Sequence, residues 1–255
     1  MNRTKCCRRI AILLAVAALA AACSATVRGT ARPAPDATAG RLDGHAVQRV
    51  LLGQSALSRI VRQPLSIDPG FPPTFGGPGI LQGDASTQPG GCVGVAVMFA
   101  QSAYRNSNVK YIAQETWRPV AESARVTWVK EGVVSLPTVA EAEALFAKFS
   151  REWQRCDEQT VPLPGGAFGL QVKVNNVQVA ADVIAANTWI QMNSPNPLLT
   201  DAIPGGRAIG VRDNCLIEVE VDFARPNPSV KGSGEVDTSA LDIAQVMRDK
   251  VSALS

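Results

Sequence analysis

The chain has 255 residues, 46% of them hydrophobic, with 25 Lys and Arg against 22 Asp and Glu. That composition supports one sizeable core and falls short of two comfortable domains. The balanced charge excludes a nucleic-acid partner, and a single histidine leaves little material for imidazole chemistry.

The first element is a targeting segment. Arg3, Lys5, Arg8 and Arg9 precede an apolar run over residues 10–22 that contains Leu13, Leu14, Val16 and Leu19. The run is short of the roughly 20 apolar residues that span a bilayer, and a charged start followed by such a run is the pattern of a signal peptide. It ends in Ala20, Ala21 and Ala22 directly before Cys23, which predicts a lipoprotein signal peptide over residues 1–22. In that pattern the Cys23 thiol accepts diacylglycerol before cleavage, and the new amine then takes a further chain such as palmitate. The Leu preferred three places before the cysteine sits four before it, at Leu19, and Ala20 fills its place. An ordinary secreted protein cut at an Ala-x-Ala site is the alternative. Dual acylation gives stable membrane residence, so the expected location is the extracytoplasmic face of the cell membrane. Residues 23–41 carry this anchor and a tether rich in Ala, Thr, Pro and Gly, with almost nothing large to bury.

Residues 42–255 then form the single expected domain. Its charge is near neutral, because the formal +3 falls to −1 without the four basic residues of the leader. Asp43 can cap a short helix through His45, Val47, Val50 and Leu51, and Ser55 a second through Leu57, Ile60 and Val61. Residues 64–91 hold six prolines and seven glycines, which predicts a long irregular segment rather than a strand. Residues 93–104 suit a buried helix, and residues 109–117 and 125–136 have the β-branched and aromatic content of strands. The clearest element spans residues 138–155, where Thr138 and Glu141 form a capping box and Ala142, Leu145, Phe146, Phe149 and Trp153 share one face.

Strand-like runs follow at residues 159–163, 168–174, 177–184, 188–192, 208–212 and 215–223. Pro164-Gly-Gly, Asn175-Asn176, Pro204-Gly-Gly and Asp213-Asn214 supply the turns between them. Residues 237–254 close the chain as an amphipathic helix with Leu241, Ala244, Met247 and Val251 inward. Helices around one antiparallel β-sheet make an α+β fold.

Outside the leader and Cys23, the cysteines are Cys92, Cys156 and Cys215, which in an oxidising compartment predicts one disulfide and one odd thiol. Cys92 opens a predicted helix and Cys156 closes another, while Cys215 lies in a strand-like run, so the first two are the better bridge candidates. The odd thiol reads as a small buried hydrophobe.

No catalytic set emerges. His45 reads as a solvated residue of the first helix, beside the tether. Gly76-Gly-Pro-Gly79 and Gly165-Gly166 lack the lysine and helix of a phosphate loop and read as turns. Glu141/Glu143 lie on a helix surface and Glu218/Glu220 alternate along a strand, so neither reads as a glycosidase pair. One bridge leaves too few cysteines for zinc, and no metal or cofactor is expected. Trp153 continues an apolar helix face, which leaves Trp117 and Trp189, near strand ends, as candidates for lining a ligand cleft.

Three features together carry a resemblance: the helix end Trp153-Gln-Arg-Cys156-Asp157, a cysteine ahead of it at a helix start, and the run Arg207-Ala-Ile-Gly-Val-Arg-Asp-Asn214. In order and over about residues 42–254, they resemble the extracellular sensor domain of the mycobacterial serine/threonine kinase H and its stand-alone lipoprotein relatives. The resemblance implies a Cys92–Cys156 bridge and an antiparallel sheet with helices and a cleft. It implies an extracytoplasmic ligand and no catalytic residue. A second family bridge is missing here, because Pro204-Gly-Gly206 and Val221-Asp222-Phe223 contain no cysteine. The expected function is therefore a membrane-anchored, non-enzymatic sensor or ligand-binding lipoprotein of the mycobacterial cell envelope, its partner a small molecule, a lipid or an envelope protein. A lipid or glycolipid carrier and an envelope scaffold are the alternatives.

Overall fold

Strands buried on both faces need apolar residues at consecutive positions, and the central strands of this chain have them. In a computed structural model that describes residues 41–83, 91–163, 169–192, 201–225 and 234–255, Ile112, Val134, Ile209 and Leu216 pack on one face of a sheet. Their immediate neighbours Ala113, Val133, Ala208 and Ile217 pack on the other. The leader, Cys23 and most of the tether lie outside the described residues, which belong to one compact unit, Thr38–Ser255.

The strands are β1 (Leu65–Ile67), β2 (Thr74–Gly76), β3 (Tyr111–Pro119), β4 (Val126–Ser135), β5 (Thr160–Leu163), β6 (Leu170–Val179), β7 (Val183–Met192), β8 (Ile203–Arg212) and β9 (Cys215–Phe223). They pair in the order β1-β3-β4-β9-β8-β7-β6-β5, with β2 also on β3, and every pairing between them is antiparallel. Helices α1 (Gln54–Ile60), α2 (Val93–Ala96), α3 (Val139–Cys156) and α4 (Ser239–Leu254) flank it, with a 3-10 helix at Gly44–Val50. On one face, α3 packs against β6, β8 and β9; on the other, α4 crosses β8 and β9 while the 3-10 helix covers β3 and β4. The α+β architecture with a single antiparallel sheet is thus as the sequence implied.

The capping box holds, with the Thr138 hydroxyl accepting from the Glu141 N–H at 3.1 Å. The bridge holds as well: Cys92 and Cys156 are joined with Cα atoms 5.6 Å apart. Across a sequence separation of 64 it removes about 4 kcal/mol of loop-closure entropy from the unfolded chain. Cys215 is a buried free thiol, and burial pushes its pKa up to about 12.

Several local expectations change. Residues 64–91 are not wholly irregular, since β1 and β2 both find partners on β3. Gly53, not Ser55, occupies the N-cap of α1. Asn175-Asn176 is an irregularity inside β6, where the register shifts between Asn175 and Gln178, and not a turn between strands. Pro204-Gly-Gly lies within β8; Pro204 pairs only with Trp189 of β7, before β9 joins at Gly205, so its missing N–H breaks no ladder on that side. The Pro164-Gly-Gly turn falls outside the described residues.

The largest departure is at residues 93–104, where a single helical turn replaces the expected helix. In a continued helix, the carbonyls of Gly94 and Val95 would accept from residues 98 and 99. Here Arg207 of β8 donates to both carbonyls at 3.2 Å, and the Phe99 N–H turns instead to Glu218. Phe99 adopts φ 58° and lies over Gly132, where an added Cβ would stand 2.3 Å from its ring. A tertiary ion network therefore outcompetes local helix propensity.

Candidate functional site

Beyond its apolar centre, the sheet face that carries α3 becomes polar. On β9, Glu218, Glu220 and Asp222 repeat at the two-residue spacing that puts them on one face. Opposite them on β4 stand Gly132, Lys130 and Trp128, and Lys130 in turn pairs with Thr116 of β3. Gln114 pairs with Thr74 of β2, and Asp222 with Gly205 of β8. Register alone thus assembles a polar floor from five strands.

At its inner edge the floor is fixed by a buried ion network. Arg207, 1% exposed, bonds Glu218 at 2.8 Å and Glu220 at 3.3 Å, and its guanidinium sits 5.9 Å from the centre of the Trp153 ring. The Tyr104 hydroxyl donates to the other oxygen of Glu218. Burial, with Glu218 beside it, holds the Tyr104 pKa well above the ordinary phenol value. Trp153 and Arg207, singled out within the two sequence motifs, meet here. Their role is to set the path of residues 93–104 and the position of Glu220.

Outward from this network lies a cleft of about 600 Å³, floored by Gln114, Thr116, Lys130, Glu220 and Asp222, with Thr74 and Gln82 beside them. Gly70, Phe71 and Pro72, from the connection between β1 and β2, form its wall with Trp128. Phe71 meets Trp128 edge to face at 5.0 Å. Three buried oxygens among these lining groups, Thr74 Oγ1, Gln114 Oε1 and Asp222 Oδ1, have no hydrogen-bond partner within the protein. Burial and the neighbouring Glu220 raise the Asp222 carboxyl well above its ordinary range, with Arg207 opposing. Burial also lowers the Lys130 ammonium, against the pull of Glu220.

A second cleft, of about 560 Å³, lies between α3 and the β6–β7 and β8–β9 connections. Val139, Phe146 and Val211 line it, and its rim includes Arg248, which is ion-paired to Asp182. None of its lining side-chain oxygens or nitrogens is buried without a partner, so the sheet cleft is the stronger candidate site.

The tryptophan lining this cleft is Trp128; Trp117 and Trp189, the candidates from sequence, lie elsewhere. Trp117 is 5% exposed in the core of the opposite face, and Trp189 also lies off the cleft lining. Both stand near strand ends, but side-chain parity directs residues 113, 117 and 129 to one face and Trp128 to the other. Lys130, Glu220 and Asp222 join the cleft without being among the residues that the sequence points to. Their signal was charge at alternate positions of strands otherwise apolar on both faces. His45 is exposed, bonded to Gln48 at 2.9 Å and packed on Phe75. Among the described residues, no group of His, Cys, Asp and Glu is arranged to hold a metal ion, and no helix is long and apolar enough to cross a membrane.

Comparison with known proteins places this architecture. The extracellular domain of PknH from Mycobacterium tuberculosis superimposes with a TM-score of 0.66 at 16% identity, covering 84% of this chain and 98% of that one. An uncharacterized protein from Mycobacterium smegmatis, the Rv0999 ortholog, aligns at 14% identity over 82% of this chain and 96% of its own, with a TM-score of 0.35. No curated protein matches the sequence. The first likeness shows the fold, and the sequence pattern of the PknH-like extracellular domain matches residues 42–250, so the chain belongs to the PknH-like extracellular domain family.

Proposed function

We propose that the protein is a lipid-anchored, extracytoplasmic ligand-binding lipoprotein whose sheet cleft takes the ligand without turning it over. The observation that carries this reading is that three residues lining the cleft, Thr74, Gln114 and Asp222, each hold a buried side-chain oxygen with no partner in the protein. Each such group costs about 1–3 kcal/mol if left unmet, a cost that a molecule bound in the cleft would relieve. Family membership supports an extracellular setting, and a leader cut before Cys23 would leave that cysteine to carry the anchor.

The geometry of the acids supports binding over catalysis. Hydrolysis by paired carboxylates needs one on either side of the scissile bond. Glu220 and Asp222 stand side by side on one strand, and Glu220 is already engaged by Arg207. The polar, open floor also favours a ligand with hydrogen-bonding groups over a lipid cargo.

The test is native mass spectrometry of the full-length protein released in detergent from a mycobacterial host. A reproducible adduct that disappears in Trp128→Ala is expected; both forms at their own adduct-free masses would refute ligand capture. In the same spectra the mature N-terminus should be Cys23 with diacylglycerol on its thiol and an acyl chain on its amine, and Cys23→Ala should move the protein from the membrane to the soluble fraction.

A further inference from the structure

The groups left unmet in the sheet cleft specify what can satisfy them. Gln114 Oε1 can only accept a hydrogen bond, and Thr74 Oγ1 can accept or donate. A ligand that meets them must bring O–H or N–H donors. Phosphate and carboxylate ligands bring mostly acceptors, and their negative charge would face Glu220 and Asp222; an acyl chain would leave every one of these atoms unmet.

Charge narrows the class again. Arg207 is matched by Glu218, and Lys130 stands opposite Glu220 in the β4–β9 register, so these four charges cancel in pairs. Asp222 remains, and its burial beside Glu220 favours the protonated carboxyl, itself a donor. The floor therefore offers no net field to hold a polyamine or a basic peptide. Above it, Trp128 and the 55% exposed Phe71 present an aromatic corner of the kind that packs on the C–H face of a ring.

We propose that the cleft binds an uncharged saccharide, one pyranose face against Trp128 and Phe71 and its hydroxyls on Thr74, Gln114 and Asp222. This rests on the cleft being the ligand site, and it adds the chemical class. A volume of about 600 Å³ is in the range of small-molecule sites and accommodates more than one sugar ring.

The test uses full-length protein in a sugar-free detergent at neutral pH. Methyl glucoside, methyl galactoside, methyl mannoside, maltose, cellobiose and lactose are read by saturation-transfer NMR and tryptophan fluorescence. Inorganic phosphate, spermidine and palmitate are run beside them. At least one saccharide is expected to bind saturably, with affinity reduced about tenfold or more by Trp128→Ala, the loss of one aromatic anchor. Phe71→Ala, at an exposed position, should weaken it without touching the fold. Asp222→Asn, which keeps a neutral hydrogen-bonding group, should retain binding that Asp222→Ala loses. Glu143→Ala, in the second cleft, should change nothing. Saccharide binding indifferent to Trp128 and Phe71 would overturn the placement. Trp128-dependent binding of phosphate, spermidine or palmitate, with no saccharide bound, would overturn the class and leave the ligand cleft standing. If nothing binds, both readings fall.

Discussion

Glu131 provides a quantitative test of how the sheet is held to the N-terminal layer. It is fully buried on the face opposite the cleft, accepting from the Leu52 N–H at 2.9 Å and the Gly53 N–H at 3.4 Å at the start of α1. Burial raises its pKa from the ordinary 4.5 to about 7; the Leu52 and Gly53 N–H groups oppose the rise, and the paired Glu115 adds to it. Because the folded protein holds this proton more tightly than the unfolded chain, its contribution to stability is fully present below pH 4.5. It is lost as pH rises through 7, and the displacement corresponds to about 3 kcal/mol. Glu131→Gln removes the titration and keeps one acceptor oxygen. Urea unfolding of full-length protein, bridge intact, should show wild type losing about 3 kcal/mol relative to Glu131→Gln between pH 4.5 and pH 7.5. Taking the difference between variants cancels most of Glu115 and Asp222, whose raised pKa values act in the same direction. Parallel pH profiles for the two proteins would refute the assignment of a protonated Glu131.

Other substitutions probe the elements around the site. Arg207→Met strands Glu218 in the core and should lower unfolding free energy by about 3–5 kcal/mol, whereas Arg207→Met with Glu218→Met should cost much less; chemical denaturation compares the two. Replacing Cys92 and Cys156 together by alanine should cost about 4 kcal/mol by the same measurement. Gly132→Ala forces Phe99 off the sheet and should destabilise by about 1–3 kcal/mol, seen as a lower thermal midpoint.

Legibility tracked the range of the interaction that decides each feature. The α3 helix was readable because its cap, Thr138 with Glu141, and its apolar stripe are local. The Asp213-Asn214 turn was readable for the same reason: Asp213 takes φ 49° between Arg212 and Cys215. The buried role of Asn214 was not readable, since its side chain bonds Leu42 and Leu136, residues far away in sequence. Nor was the path of residues 93–104, because nothing within that segment reveals that Arg207 will take its carbonyls. The cleft was legible only as an implication of resemblance, and of the tryptophans it is Trp128, rather than Trp117 or Trp189, that lines it.

By itself, then, the sequence determined the two long helices and most of the antiparallel succession of strands, since periodicity and caps are properties of neighbours along the chain; the Cys92–Cys156 bridge came from the resemblance. Tertiary structure alone decided which face of each strand looks into the cleft. A one-residue change of register sends every side chain to the opposite face, and only the packed sheet fixes that register. Trp128, Lys130, Glu220 and Asp222 became a site when β4 and β9 paired Lys130 with Glu220 and Trp128 with Asp222.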